Sequence, residues 1–310
     1  MNFQKTRVDI HNNYPEKILF KAELAFKKRL EDKGLDVIFS PIKLQYNEDA
    51  SFQVYLSHYI DGLNTLPFRP DQTFDNNFKV IDDAGRAIFP RGGTKKVLEG
   101  LSNKLSINQN LDWQNIIDIL TENIPLMTCR YITKNILEAH KDNSFEGCKF
   151  QKRIEDCLGK VEYTQLLNQF SSIPNPASSP TSLEYIKSAS SFMRLYLKGK
   201  KTSQSNKPYP SKLDLSKASN VLNHAKRFDI LISLLLYTMR NERAHGASIS
   251  PFITSKSTLE RYESYYFTML CSYIFSLGVL SLHGFAGLNS SNILDCCKEN
   301  IKIQKYFFKS

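Results

Sequence analysis

The chain reads as all-α: an up-and-down helical bundle with an additional, mostly helical N-terminal domain. Three observations predict this. Apolar residues recur at three- and four-residue spacing through most of the chain. No region alternates strand and helix patterns as a doubly wound sheet requires. The 310 residues are 41% hydrophobic and 23% charged, enough apolar material for two domains or one large helical unit.

The elements follow in order. Ile18, Ala22, Leu24, Ala25 and Leu30 outline an early amphipathic helix. Residues 36–44 are β-branched enough for a short strand or an extended lead-in. Residues 54–63 and 113–120 fit two further helices, and Ile132, Ile136 and Leu137 mark another. In the second half, 183–197 is one helix and 215–224 a second. Phe228, Leu231, Leu234, Leu235 and Met239 place a strong helix over 227–243. Ser257 and Glu260 have capping-box spacing. Beyond them Leu259, Tyr262, Tyr266, Met269, Leu270, Tyr273, Ile274, Leu277 and Leu280 keep one face apolar. Residues 292–307 form a last helix.

Residues 171–182, with three prolines and five serines, have almost nothing to bury and read as a linker. Residues 198–211 are a polar, basic loop, and 89–93 a weaker Gly/Pro break. The predicted organisation is therefore an N-terminal domain over 1–170 serving as scaffold, sensor or docking surface, the linker, and a helical domain over 183–310.

The N-terminus has no apolar core of a secretory signal, and the most apolar stretch, 268–282, is too short to span a bilayer. A soluble, cytoplasmic protein is expected, with no membrane association. None of the six cysteines has a C-x2-C partner or a histidine at zinc-finger spacing, so neither zinc nor a disulfide is expected. The net charge of +10 favours polyanionic partners, nucleic acid first. Residues 1–182 carry 23 basic and 23 acidic side chains, and 183–310 carry 18 and 8, so in sequence terms the surplus belongs to the second half.

That half contains one constellation with chemistry in it: Arg240, Asn241, Glu242, Arg243, Ala244 and His245, followed by Gly246. Arginine offers a permanent planar cation matched to phosphate oxygens. Histidine exchanges a proton near neutral pH. Asn241 and His245 are one turn apart, so Asn241 could orient the imidazole. An arginine and a histidine without a carboxylate cluster suit metal-independent RNA cleavage, in which the 2′-hydroxyl attacks the adjacent phosphate. Arg240 and His245 are rotated by about 140° on an ideal helix. Either the helix kinks or two copies of the motif meet across a dimer. The composition gives roughly 0.2 chance matches to R-x4-H, so spacing alone also fits an ordinary charged helix end.

The six residues resemble the R-[NDH]-x3-H form of the R-x4–6-H motif of HEPN-domain ribonucleases. Tyr237 three before the arginine, Gly246 after the histidine and a long helix beyond match the usual context. The resemblance covers residues 183–310 and does not reach the first 170. It implies a HEPN-type bundle, a homodimer with a composite site, and cleavage to 2′,3′-cyclic phosphate and 5′-hydroxyl ends without a cofactor. Relatives act as toxins or antiviral effectors, which implies an antitoxin or defence-system partner. Carried over, Arg240 stabilises the phosphate charge, His245 transfers protons and Asn241 supports the site. Arg243 is expected as an extra phosphate contact, with Arg194, Lys198, Lys200, Lys201 and Lys207 as the RNA-binding basic surface. A non-catalytic RNA-binding or assembly module is the alternative.

No second copy of the motif occurs in the first half: Arg7 and His11 are too close, and Arg130 and His140 too far apart. The turn around Arg69 reads as a packing corner, residues 91–96 as a basic turn opening a helix, and the tyrosines of 262–273 as core or interface.

Overall fold

The computed structural model describes residues 3–16, 18–170, 180–202, 212–246 and 250–309, with the side chains of 180–185 left out. All regular structure among them is helical. In chain order the helices are α1 (Phe3–Asn12), α2 (Lys21–Lys33), α3 (Ala50–Leu63), α4 (Pro70–Ile88), α5 (Gly93–Lys104), α6 (Leu111–Glu122), α7 (Leu126–Ala139), α8 (Phe145–Leu158), α9 (Lys160–Phe170) and α10 (Pro180–Leu197). They continue with α11 (His224–Asp229), a π-helical stretch over Ile230–Leu236, α12 (Tyr237–Ala244), α13 (Leu259–Leu282) and α14 (Ser290–Phe308).

The chain divides into two compact units, and not where its composition breaks. Unit 1 is Met1–Gly85 with Met239–Ser310, and unit 2 is Arg86–Thr238. The expected domains over 1–170 and 183–310 are therefore replaced by an arrangement in which the middle of the chain is one body and its two ends make the other. Burial decides this: the apolar faces of 183–238 pack with α5–α9, while those of 239–310 pack with α1–α4. Of the expected linker, 171–179 lies outside the described residues and 180–182 opens α10.

In unit 1, α13 is the central helix. Its residues from Tyr266 to Leu280 are all buried, as for a helix enclosed on every side. Phe26 of α2 stacks on Tyr262 at 4.3 Å and meets Phe307 of α14 at 4.9 Å, and Tyr262 stacks on Phe252 at 4.1 Å. Tyr262, Tyr266 and Tyr273 of this helix are core residues, and Tyr265 is half-buried. α13 is also long and apolar enough to cross a membrane by length and composition, but 83% of that apolar window is buried inside the protein. The apolar stretch over 268–282, expected to be too short to span a bilayer, is the C-terminal part of this longer helix.

Residues 36–44 form no strand and bend at Asp36 and Ile38. Their backbone groups are met by side chains instead: Asn300 donates to the Ser40 carbonyl at 2.7 Å and accepts from its N–H, and the Ile42 N–H donates to the Tyr273 hydroxyl at 3.1 Å. The cap of α13 falls one residue later than expected, where Thr258 accepts from the Arg261 N–H, and the Ser257 hydroxyl is buried without a partner. The expected helix over 215–224 is a turn with a short 3-10 segment at Ala218–Asn220, because Asn223 accepts from the Lys226 N–H and so begins α11.

In unit 2, α7 packs on α10 and α8 packs on the π stretch. Trp113, Ile116, Ile117, Leu120, Ile132, Ile136, Ile154, Leu158 and Phe228 are all buried there. All seven residues of the π stretch are buried as well. The straight α-helix expected over 227–243 is thus α at both ends and π between them, and Thr238 Oγ1 donates to the Ser233 carbonyl five residues back at 3.4 Å.

Candidate functional site

The motif occupies the end of α12, in unit 1. Helix α12 stops at Ala244, the His245 N–H donates to the Asn241 carbonyl at 3.0 Å, and Gly246 takes φ +66 with its N–H on the Arg243 carbonyl. A left-handed residue at this point favours glycine, so the local sequence ends the helix here. His245 is exposed in the terminal turn, beyond the last helical residue. Asn241 does not orient it among the described residues: the Asn241 amide oxygen accepts from Arg240 Nη1 at 3.2 Å.

Beside α12 runs α4. Pro70 sits at its start, where no N–H is needed, and Asp71 lies in its first turn, where the helix dipole favours a carboxylate. Phe74, Phe78 and Ile81 bury one face, and Asp71, Asp75 and Asp82 recur along it. α4 and α12 line a cleft of about 420 Å³ with Arg69, Asp71, Asp75, Phe78, Lys79, Asp82, Asp83, Arg240, Arg243, Ala244 and Ser250.

Arg243 is not free for phosphate. Its Nε donates to Asp75 Oδ1 at 2.8 Å, its Nη2 to Asp75 Oδ2 at 2.5 Å, and the same nitrogen lies 3.1 Å from Asp71 Oδ2. Asp71 is 0% exposed and is shared with Arg69, whose Nε and Nη2 donate to its two oxygens at 2.9 and 2.8 Å. Burial alone would lower the pKa of Arg243, but the Asp75 hydrogen bond and the charges of Asp71 and Asp75 outweigh it and hold it above the usual arginine value. Arg69 follows the same pattern: burial acts downward and its bond to Asp71 raises it on balance. The network Arg69–Asp71–Arg243–Asp75 is internally neutral and fastens the end of α12 to the start of α4. The turn around Arg69 is accordingly a packing corner, with the Tyr266 hydroxyl donating to the Pro67 carbonyl at 2.6 Å.

Arg240 is different. Its side chain is 35% exposed, and among the described residues its partners are Asn241 and, at 3.9 Å, Asp82 Oδ2. Of the motif's two arginines it alone keeps most of its donors available.

The other expected RNA contacts belong to unit 2. Arg194 and Lys201 are exposed. Lys200 is engaged by Glu122. The Lys198 carbonyl accepts from Arg227 Nη1 at 3.3 Å. Lys207 lies outside the described residues. The expected single basic surface joined to the motif does not follow from the units: unit 2 holds 22 basic and 13 acidic residues, and unit 1 holds 19 and 18. The surplus and the motif adjoin in sequence but belong to different bodies.

Sequence reasoning missed α4 altogether, and with it Asp71, Asp75, Asp82, Asp83 and Lys79. The signal was present: Phe74, Phe78 and Ile81 recur at four and three, after a proline suited to a first turn. Among the described residues no group of three or more histidine, cysteine, aspartate or glutamate side chains is placed to hold a metal ion. No protein-family model, curated protein or solved structure matches this chain.

Proposed function

We propose that the protein is a metal-independent endoribonuclease of HEPN type. A homodimer would bring together two Arg240–His245 pairs. Arg240 would stabilise the charge of the phosphate under attack, and His245 would move the proton of the 2′-hydroxyl or of the leaving 5′-oxygen. The products are a 2′,3′-cyclic phosphate and a 5′-hydroxyl. One observation carries the reading: Arg240, lining a cleft, is loosely held while Arg243 spends its donors on aspartates, and an exposed histidine follows at the end of the same helix. Asn241 supports the site through Arg240. A toxin or antiviral effector acting in the cytoplasm, restrained by an antitoxin or defence partner, is the setting the motif suggests.

The test is cleavage of single-stranded RNA in EDTA by the purified protein. Arg240→Ala and His245→Ala each abolish cyclic-phosphate ends while thermal unfolding stays close to wild type, because both side chains are part-exposed and weakly tied. Unchanged cleavage in both variants refutes the assignment. Expression of wild type beside His245→Ala in a bacterium, with growth and RNA ends both read, tests the toxin setting.

The near-neutral charge of unit 1 favours a second reading, a non-catalytic RNA-binding or assembly module with a HEPN-like bundle. In that case RNA binding survives His245→Ala and no RNA yields a cyclic phosphate.

A further inference from the structure

The cleft holds four aspartates and four cations, Arg69, Lys79, Arg240 and Arg243. Arg69 and Arg243 are consumed by Asp71 and Asp75 at 2.5–3.1 Å, so those four groups cancel. Two cations, Arg240 and Lys79, and two aspartates, Asp82 and Asp83, are then left. Arg240 is held loosely by Asp82 at 3.9 Å, and exposed Lys79 has, among the described residues, the Asn76 amide oxygen at 3.1 Å as its partner. They reach the cleft from different helices, Arg240 from α12 and Lys79 from α4. Asp83, also exposed, lies in the lining beside them.

We propose that this cleft is a phosphodiester-binding site in which Lys79 is a second phosphate-binding cation alongside Arg240. The inference rests on the RNA reading of Arg240 above and extends it to a residue outside the motif. A guanidinium presents a planar fork to two oxygens, and an ammonium adds a point charge that follows the anion without fixed geometry. Neutralising Asp71 and Asp75 from within makes an anion tolerable in a cleft lined by four aspartates. Asp83 opposes it, so the sign of its removal is diagnostic: loss of the Lys79 charge weakens the anion and loss of the Asp83 charge strengthens it.

The experiment measures binding rather than turnover. A fluorescein-labelled single-stranded oligouridylate is titrated in EDTA against the full-length protein carrying His245→Ala, which removes cleavage from the readout. On that background Lys79→Gln weakens binding roughly three- to tenfold and lowers the slope of log K against log salt by about 0.7, one phosphate contact on a single strand. Lys79→Arg restores most of it, and Asp83→Asn tightens binding by about twofold or more. Lys302→Gln, an exposed lysine of α14 in the same unit, is the control for loss of a surface charge and leaves the affinity within twofold.

Equal affinity and slope for Lys79→Gln and its background overturn the proposal, as does weaker binding by Asp83→Asn or absence of RNA binding by the protein. The two claims fail separately. If Arg240→Ala and His245→Ala abolish cleavage while Lys79→Gln binds as its background does, the ribonuclease stands and the Lys79 site falls. If cleavage is absent while Lys79→Gln and Arg240→Ala both weaken binding, the anion site stands and the catalytic reading falls.

Discussion

The two units differ in how they compensate the charges they take out of water. Unit 1 is close to neutral, and its buried charges are interlocked: Asp71, fully buried, is shared by Arg69 and Arg243, and Arg243 is held on its other side by Asp75. Unit 2 carries the basic surplus; its buried Arg227 is paired with Asp118 at 2.7 Å, but the part-buried Arg153 and Asp229 stand with little ionic compensation. Arg153 rests over the rings of Phe150 and Tyr237 at 4.7 and 4.8 Å and donates to Thr238, with a buried Nε that has no partner. Burial raises the Asp229 carboxyl to about 6, against a weaker lowering by its hydrogen bond to Ser102, and one of its oxygens has no partner. The excess charge of a segment therefore says little about which of its charges a ligand can reach. Arg243, within the most suggestive motif of the chain, is unavailable, and Arg240 three residues earlier is available.

This contrast predicts opposite signs for removing a buried carboxylate in the two units. The largest effect is expected at Asp71. Asp71→Ala leaves two arginines facing each other in a partly buried place and lowers unfolding stability by about 3–5 kcal/mol, read from urea unfolding of the full chain. A loss under 1 kcal/mol would break the picture of an interlocked network.

At Asp229 the sign reverses. Its folded pKa lies above the value of about 3.9 expected in the unfolded chain, so the folded state binds the extra proton between roughly pH 4 and 6. Stability is present at low pH and is lost as pH rises through that window. Asp229→Asn is accordingly expected to stabilise the protein at pH 7–8 by about 1–3 kcal/mol, with the gain vanishing below about pH 4. The difference in urea midpoint between variant and wild type, followed across pH, checks this; a destabilised variant at pH 8 contradicts it.

The smallest effect sharpens the comparison inside unit 1. Tyr262 is fully buried between Phe26 and Phe252, and its hydroxyl has no hydrogen-bond partner among the described residues. Tyr262→Phe keeps both stacks and removes a desolvated polar group, so stability is unchanged or rises by up to about 1 kcal/mol. A fall of more than that in the same unfolding measurement would show that the hydroxyl belongs to the ionic network of Glu23, Asp71 and Arg69 whose charges surround it.

Much of the helical framework was legible because helix periodicity is a local property. Phe228, Leu231, Leu234, Leu235 and Met239 announce a helix whatever they pack against, and Gly246 announces its end. The capping residue of α13 was misplaced by one position because Ser257 and Thr258 are equally able caps and only the backbone geometry selects between them. α4 was missed because its first turns carry Asp71, Thr73, Asp75 and two asparagines among the apolar residues, which reads as polar until the arginines that neutralise Asp71 and Asp75 are in place.

The sequence by itself determined the helical class, the excess of basic over acidic residues in its second half and the position of Arg240 and His245 around a helix end. These follow from composition and from spacings of a few residues. The tertiary structure decided the rest: that the chain's two ends form one unit around α13, that the surplus charge and the motif belong to different units, and that Arg243 is bound by Asp71 and Asp75 while Arg240 is not. Residues 168 positions apart in sequence make the Asp75–Arg243 pair. Whether a charged side chain is available depends on such distant partners, because an ion leaves water only when another group replaces its hydration.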